Sequence, residues 1–229
     1  GVAFDVFLHL GTLLAVILVF RKEIRGMIAA PFLYVKGDRS ESVMHDIRWD
    51  IYVVISVLPA VFVGLFLKDS IEQMFSSLGL VFVMLLVTGI LMVSSRYLRD
   101  RDVSLGGRHA FFIGCAQAMA ILPGLSRSGS TIFTGMALGL DRQIVARFSF
   151  IMSIPAILGA MVLQLGNLFH NPPTPAAFIN IAAGTGASAL SGYFAIILLL
   201  DIVRRNRLEW FGYYCLVLGF SGMAYLYAT

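Results

Sequence analysis

A single run holds most of the residues able to do chemistry: Leu122-Pro123-Gly124-Leu125-Ser126-Arg127-Ser128-Gly129-Ser130-Thr131. Its one cation, Arg127, is flanked by the hydroxyls of Ser126, Ser128, Ser130 and Thr131. A guanidinium can meet two phosphate oxygens at once, and hydroxyls add further hydrogen bonds to the same anion. Gly124 and Gly129 carry no β-carbon, so the backbone there can approach a ligand closely. A helix starting near Ser130 or Thr131 would add free N–H groups and the positive end of its dipole. Guanidinium, hydroxyls and helix N-terminus together describe a phosphate cradle. The spacing Gly124-x4-Gly129-Ser130-Thr131 brushes against the nucleotide-binding P-loop pattern. It fails, because Ser130 stands where that loop needs lysine and a helix rather than a strand precedes it. Gln117, a turn and a half upstream, is placed to line the pocket or to hydrogen-bond a neighbouring helix.

The elements that must hold this run are apolar. The chain has 229 residues, 59% hydrophobic and 13% charged, with a mean hydropathy of +0.86. Soluble domains carry roughly 45–50% apolar and about 25% charged residues, so an ordinary soluble globule and a disordered chain are both excluded. Six stretches approach the length that crosses roughly 30 Å of hydrocarbon as helix: Phe4–Phe20, Ile51–Leu67, Leu78–Ser94, Phe148–Leu165, Ala177–Leu200 and Trp210–Tyr227. They lack the period-two alternation of a membrane barrel, so the fold class is an all-α integral membrane protein, a polytopic helical bundle. Ala110–Leu122 and Thr131–Leu140 are too short to span and flank the polar run. They read as two half-helices of a re-entrant hairpin over residues 110–140. An arginine at that depth costs at least roughly 2.5–3.5 kcal/mol, a charge kept where it faces an anion or a wet cavity.

Lys+Arg 17 against Asp+Glu 13 gives a net charge of +4. The basic residues cluster in the Arg21–Arg48 loop, before and after the hairpin, and in Asp201–Glu209, while Leu165–Ala176 has no charge. They read as cytoplasmic anchors, not as a nucleic-acid surface, and the alternation closes only if the hairpin enters and leaves on the cytoplasmic side. Phe4–Gly11 can be laid on Phe148–Pro155, with Leu14 on Leu158, in opposite orientations. That is the mark of an inverted-topology repeat in a single transmembrane domain, with residues 1–95 the remainder of the first unit and 110–229 the second. Cys115 and Cys215 lie in apolar segments and read as buried thiols. His9 reads as a packed histidine, and no His spacing suggests a metal site.

The run Pro123-Gly-x-Ser126-Arg127-Ser128-x-x-Thr131 resembles the signature of the undecaprenyl-diphosphate phosphatase family, also called bacitracin-resistance proteins. Phe4–Val16 is similar to that family's first full span, and Ala146–Ala160 to its helix after the hairpin. The resemblance implies hydrolysis of undecaprenyl diphosphate to the monophosphate carrier lipid in the bacterial inner membrane. It implies catalytic roles for Ser126, Arg127, Ser128 and Thr131, with Pro123 and Gly124 shaping the turn; the residues themselves add Gly124, Gly129, Ser130 and Gln117 as candidate substrate contacts. It also implies a divalent cation, Mg or Ca, whose ligands belong to a glutamate-rich upstream segment with a Ser-Ser-Thr-Gly-His stretch that does not occur in this numbering. Hence no metal ligand is expected within the 229 residues, which by themselves are expected to bind polyprenyl diphosphate weakly without releasing phosphate. A homodimer is left open. The rival class is a polyprenyl-phosphate or anion transporter using Arg127 as its binding charge.

Overall fold

In the computed structural model the described residues are 2–66, 74–75, 77–101, 103–170 and 175–228, with the side chains of 2, 3, 5, 163–170 and 175–178 outside the description. The helices are α1 (Val2–Val19), α2 (Arg21–Val35), α3 (Glu41–Phe66), α4 (Leu78–Ser94), α5 (Gly107–Met119), α6 (Arg127–Ala137), α7 (Arg142–Ile151), α8 (Ser153–His170), α9 (Pro175–Arg204) and α10 (Glu209–Ala228). The fold is all-helical among the described residues, where one isolated bridge, Val103 to Leu140, is the nearest thing to a strand. Five stretches are long and apolar enough to cross a membrane: Glu41–Phe66, Leu78–Tyr97, Arg142–Val162, Ile179–Arg204 and Glu209–Ala228. The sixth expected span, α1, contributes the shorter apolar stretch Val6–Val19.

Several expectations are corrected. The Arg21–Arg48 segment is not a loop, since α2 fills most of it and α3 begins at Glu41. Ile24, Ile28 and Phe32 recur every fourth residue between the charges, a stripe that closes into an amphipathic helix. In the short turn between α2 and α3, the Ser40 N–H donates to the Asp38 carboxylate at 2.8 Å, which holds that carboxyl below its ordinary range. The expected span Phe148–Leu165 overlaps the apolar stretch Arg142–Val162, which is built of two helices, α7 ending at Ile151 and α8 starting at Ser153. Pro155 has no N–H to return to the Ile151 carbonyl, so the ladder breaks there. The expected Leu165–Ala176 loop is helical as far as His170, and 171–174 fall outside the described residues. His9 is exposed on α1.

The chain divides into two compact units, residues 1–50 with 150–201 and residues 51–149 with 202–229. In the first, α1 lies along α8, the Ser188 hydroxyl of α9 donates to the Leu8 carbonyl at 2.8 Å, and Phe20 stacks on Phe150 at 5.7 Å. In the second, α10 runs along α4 at very close range: a β-carbon on Gly89 or Gly212 would fall 2.9 Å from the other's carbonyl oxygen. Small residues are the means by which membrane helices bring their backbones together. Arg96, at the end of that pair, donates to Tyr97 at 2.6 Å and to Tyr213 at 3.2 Å, as befits an interfacial anchor.

The shielded centre of the second unit is not in the long helices but around α5, α6 and α7. Ala110, Ile113, Ile132, Leu140, Val145, Ala146 and Phe148 there have no exposed surface. Leu58, Phe62, Leu65 and Phe66 of α3 stay exposed, an inversion that suits a hydrocarbon solvent. The segment after α4 ties down the exit of α6: Arg101 N–H donates to the Gly139 carbonyl at 3.0 Å and Arg142 meets Asp100 at 3.3 Å. Asp141 then caps α7, accepting from the Gln143 and Ile144 amides at 2.9 Å.

Candidate functional site

The motif occupies the turn between two short, mutually packed helices, α5 of 13 residues and α6 of 11. At 1.5 Å per residue these are roughly 20 Å or less in length, too short to span. Helix α6 begins at Arg127, three to four residues earlier than the expected start at Ser130 or Thr131. Ser126 explains the shift, because its extended backbone and its hydroxyl, accepting the Gly129 N–H at 3.1 Å, make it the N-cap. The first helical bond follows, from Ser130 N–H to the Ser126 carbonyl at 2.9 Å. Arg127 and Ser128 are therefore the first two helical residues, whose amides have no acceptor inside the helix. The positive end of α6 sits at the arginine itself.

The turn depends on Gly124. Its φ is 92°, and an added β-carbon would run into the Val81 carbonyl oxygen of α4. An L side chain would meet both a strained backbone and a collision. The chain then passes through Leu125, whose N–H reaches the Leu122 carbonyl at 3.2 Å.

Arg127 is half-buried, and its Nε donates to Oε1 of Gln117 on α5 at 3.0 Å. That bond fixes the plane of the guanidinium and leaves its two terminal amino groups with no partner among the described residues. Gln117 is 3% exposed and its Nε2 is unpaired; Ser130 is 6% exposed and its hydroxyl is unpaired too. With His109 Nδ1 these make three unpaired buried polar atoms on this helix pair, and those of Gln117 and Ser130 are groups able to hydrogen-bond an anion. Ser126 and Ser128 are half-buried, and Gly129 is shielded within the first turn of α6.

Thr131 is placed differently. It is fully shielded, and its hydroxyl lies 2.6 Å from the Ser149 hydroxyl of α7 while reaching the Arg127 and Ser128 carbonyls at 2.9 and 3.2 Å. It braces the first turn of α6 from behind. Two residues that sequence reasoning missed complete the frame, Ser149 and Thr88. The Thr88 hydroxyl accepts from the Ser126 N–H at 3.0 Å and donates to the Gly124 carbonyl at 3.1 Å. Thr88 sits in an apolar run and Ser149 between two phenylalanines, where back-bonding to the helix's own carbonyls is the ordinary outcome.

Residues 1–221 match the family described as "Bacitracin resistance protein BacA". The chain belongs to this family. Among similar proteins is the "Undecaprenyl-diphosphatase" of Methanobrevibacter smithii, 41% identical over 234 residues that cover 96% of this chain and 82% of the relative. That of Halothermothrix orenii is 37% identical over 222 residues, 95% and 81% of the two chains. The "Undecaprenyl-diphosphatase 1" of Bacillus licheniformis is 34% identical over 224 residues, 96% and 83%. The Arg127 turn and its frame thus belong to a multi-pass membrane protein of a phosphatase family.

No three His, Cys, Asp or Glu side chains come together as a metal site among the described residues. The groups around Arg127 are cationic, hydroxyl and amide, which suit an anion and not a cation.

Proposed function

We propose that a protein carrying this chain hydrolyses undecaprenyl diphosphate, water taking the terminal phosphate so that undecaprenyl phosphate and inorganic phosphate are released. Membership of the family and the names of its relatives support the activity, and the geometry at Arg127 carries the mechanism. The terminal amino groups of Arg127 take two oxygens of the phosphate that leaves, a bidentate fit that neutralises charge as the P–O bond lengthens. The Arg127 and Ser128 amides, at the positive end of α6, donate to the same group. The hydroxyls of Ser126, Ser128 and Ser130 and the free amide of Gln117 supply the remaining hydrogen bonds, and Gly124 and Gly129 keep the turn close to the substrate. Thr131 holds the arginine's helix turn in place.

Neither Ser126 nor Ser128 is hydrogen-bonded to a carboxylate or imidazole among the described residues, so both act as donors and not as nucleophiles. A divalent cation, Mg or Ca, belongs to the proposal only as a group held elsewhere, and no step here passes through it.

The prenyl chain has a place beside the turn. A cavity of about 780 Å³ opens between α3 and α5, lined by Leu58, Pro59, Phe62, Phe111, Cys115 and Met119 and reaching Leu122 next to Pro123. The two short helices then form a re-entrant hairpin that presents Arg127 to a headgroup while the tail stays in hydrocarbon. The proposed location is the bacterial cytoplasmic membrane, with the basic loops inside. A homodimer, proposed with it, is checked by the detergent-corrected mass.

The activity is tested by phosphate release from undecaprenyl diphosphate in detergent. Release that falls in Arg127→Ala supports the reading. Binding without release, together with counterflow in vesicles, would replace it with transport.

A further inference from the structure

We infer that Thr88 is a positioning residue for Arg127, acting through the Gly124–Ser126 turn; this rests on the phosphatase reading above. Thr88 lies in the middle of α4, 2% exposed, within an otherwise apolar run from Leu78 to Val93. A threonine there would ordinarily return its proton to its own helix. Instead its proton goes to the Gly124 carbonyl at 3.1 Å, and its oxygen takes the Ser126 N–H at 3.0 Å. One hydroxyl thus closes both ends of a three-residue turn from an element 36 residues away in sequence.

The consequence is directional. Gly124 is the one left-handed residue of the turn, with φ 92°, and Ser126 is the N-cap whose hydroxyl accepts from Gly129. Fixing the peptide groups of both residues sets where α6 begins and therefore where Arg127 leaves the backbone. Gln117 orients the guanidinium from α5, while Thr88 sets its origin from α4. Neither contact of Thr88 involves the arginine side chain, and its side chain is shielded, so its route to the reaction runs through the turn. With both bonds removed, no other side chain hydrogen-bonds the Gly124 or Ser126 peptide groups among the described residues.

The test uses the complete protein that carries this chain, undecaprenyl diphosphate as substrate and phosphate release as readout. Thr88→Val keeps the shape of the side chain and removes the hydroxyl; its kcat should fall about 10-fold or more while KM moves less than 3-fold, by the cost of a misplaced catalytic group. Thr88→Ser restores the hydroxyl and should return kcat to within 3-fold of the parent. In an Arg127→Ala background, Thr88→Val should cost nothing further, because its route to the reaction is gone. A Thr88→Val enzyme as active as the parent, or one losing the same factor with and without Arg127, would overturn the assignment. If Thr88→Val does not fold, the Thr88→Ser enzyme and protection of its Ser126 amide from hydrogen exchange decide instead. Protection and rate retained together support the role, and a rate lost despite a protected amide contradicts it. A parent protein that releases no phosphate would count against the phosphatase reading itself.

Discussion

Arg127 works in this account because three neighbours define it. Gln117 holds its Nε at 3.0 Å, Ser126 caps the helix it begins, and Thr131 ties the following turn to Ser149 at 2.6 Å. Gln117→Leu removes the acceptor but keeps the bulk, and turnover should fall about 10- to 100-fold, the range for a catalytic group displaced by about an ångström. A Gln117→Leu enzyme with unchanged kcat would show that the arginine needs no orienting partner. Thr131→Val leaves the Ser149 hydroxyl without its side-chain partner in a dry interior. Stability should drop by about 1–3 kcal/mol, read as a lower melting temperature in detergent. Gly124→Ala should do worse than either, since it combines a strained φ with the Val81 collision; a variant that melts with the parent would mean the turn is softer than its geometry implies.

At the scale of elements, most of the architecture was legible because hydrophobic runs of membrane length leave few alternatives. Leu78–Ser94 came out residue for residue as α4, and the two short helices flanking the motif lie within a few residues of their expected bounds. What escaped had a physical cause in each case. The charges of Arg21, Lys22 and Arg25 masked the helix α2, whose apolar stripe shows only when read at helical period. The early start of α6 followed from Ser126 capping, a choice between several serines that spacing alone does not make. Thr88 and Ser149 were invisible because their partners lie far away in sequence, and a hydroxyl flanked by apolar residues carries no record of which neighbour it meets. The topology belongs at this scale as well. Single cysteines at Asn206 and at Asn171 should react from opposite sides, with Asn171 labelled by an impermeant reagent in intact cells and Asn206 protected. The reverse pattern would invert the hairpin and place the Arg127 turn on the other face.

For the whole molecule, long helices that leave so many large apolar side chains exposed make sense only with lipid as the solvent, and the substrate named in the relatives is itself a lipid. The protein needs water only where the diphosphate is. A groove of about 780 Å³ with Cys115 in its wall gives that division a direct check: polyprenyl phosphate should slow maleimide labelling of Cys115, and no protection would put the tail elsewhere. In the proposed mechanism one forked cation, set at the start of a short helix, neutralises the terminal phosphate. Its most direct test is phosphate release from undecaprenyl diphosphate by the parent protein and by Arg127→Lys, compared at equal melting temperature. Lysine keeps the charge and loses the fork, so kcat should fall at least about 100-fold, as for a lost transition-state donor. An Arg127→Lys protein that releases phosphate at nearly the parent rate would contradict the account.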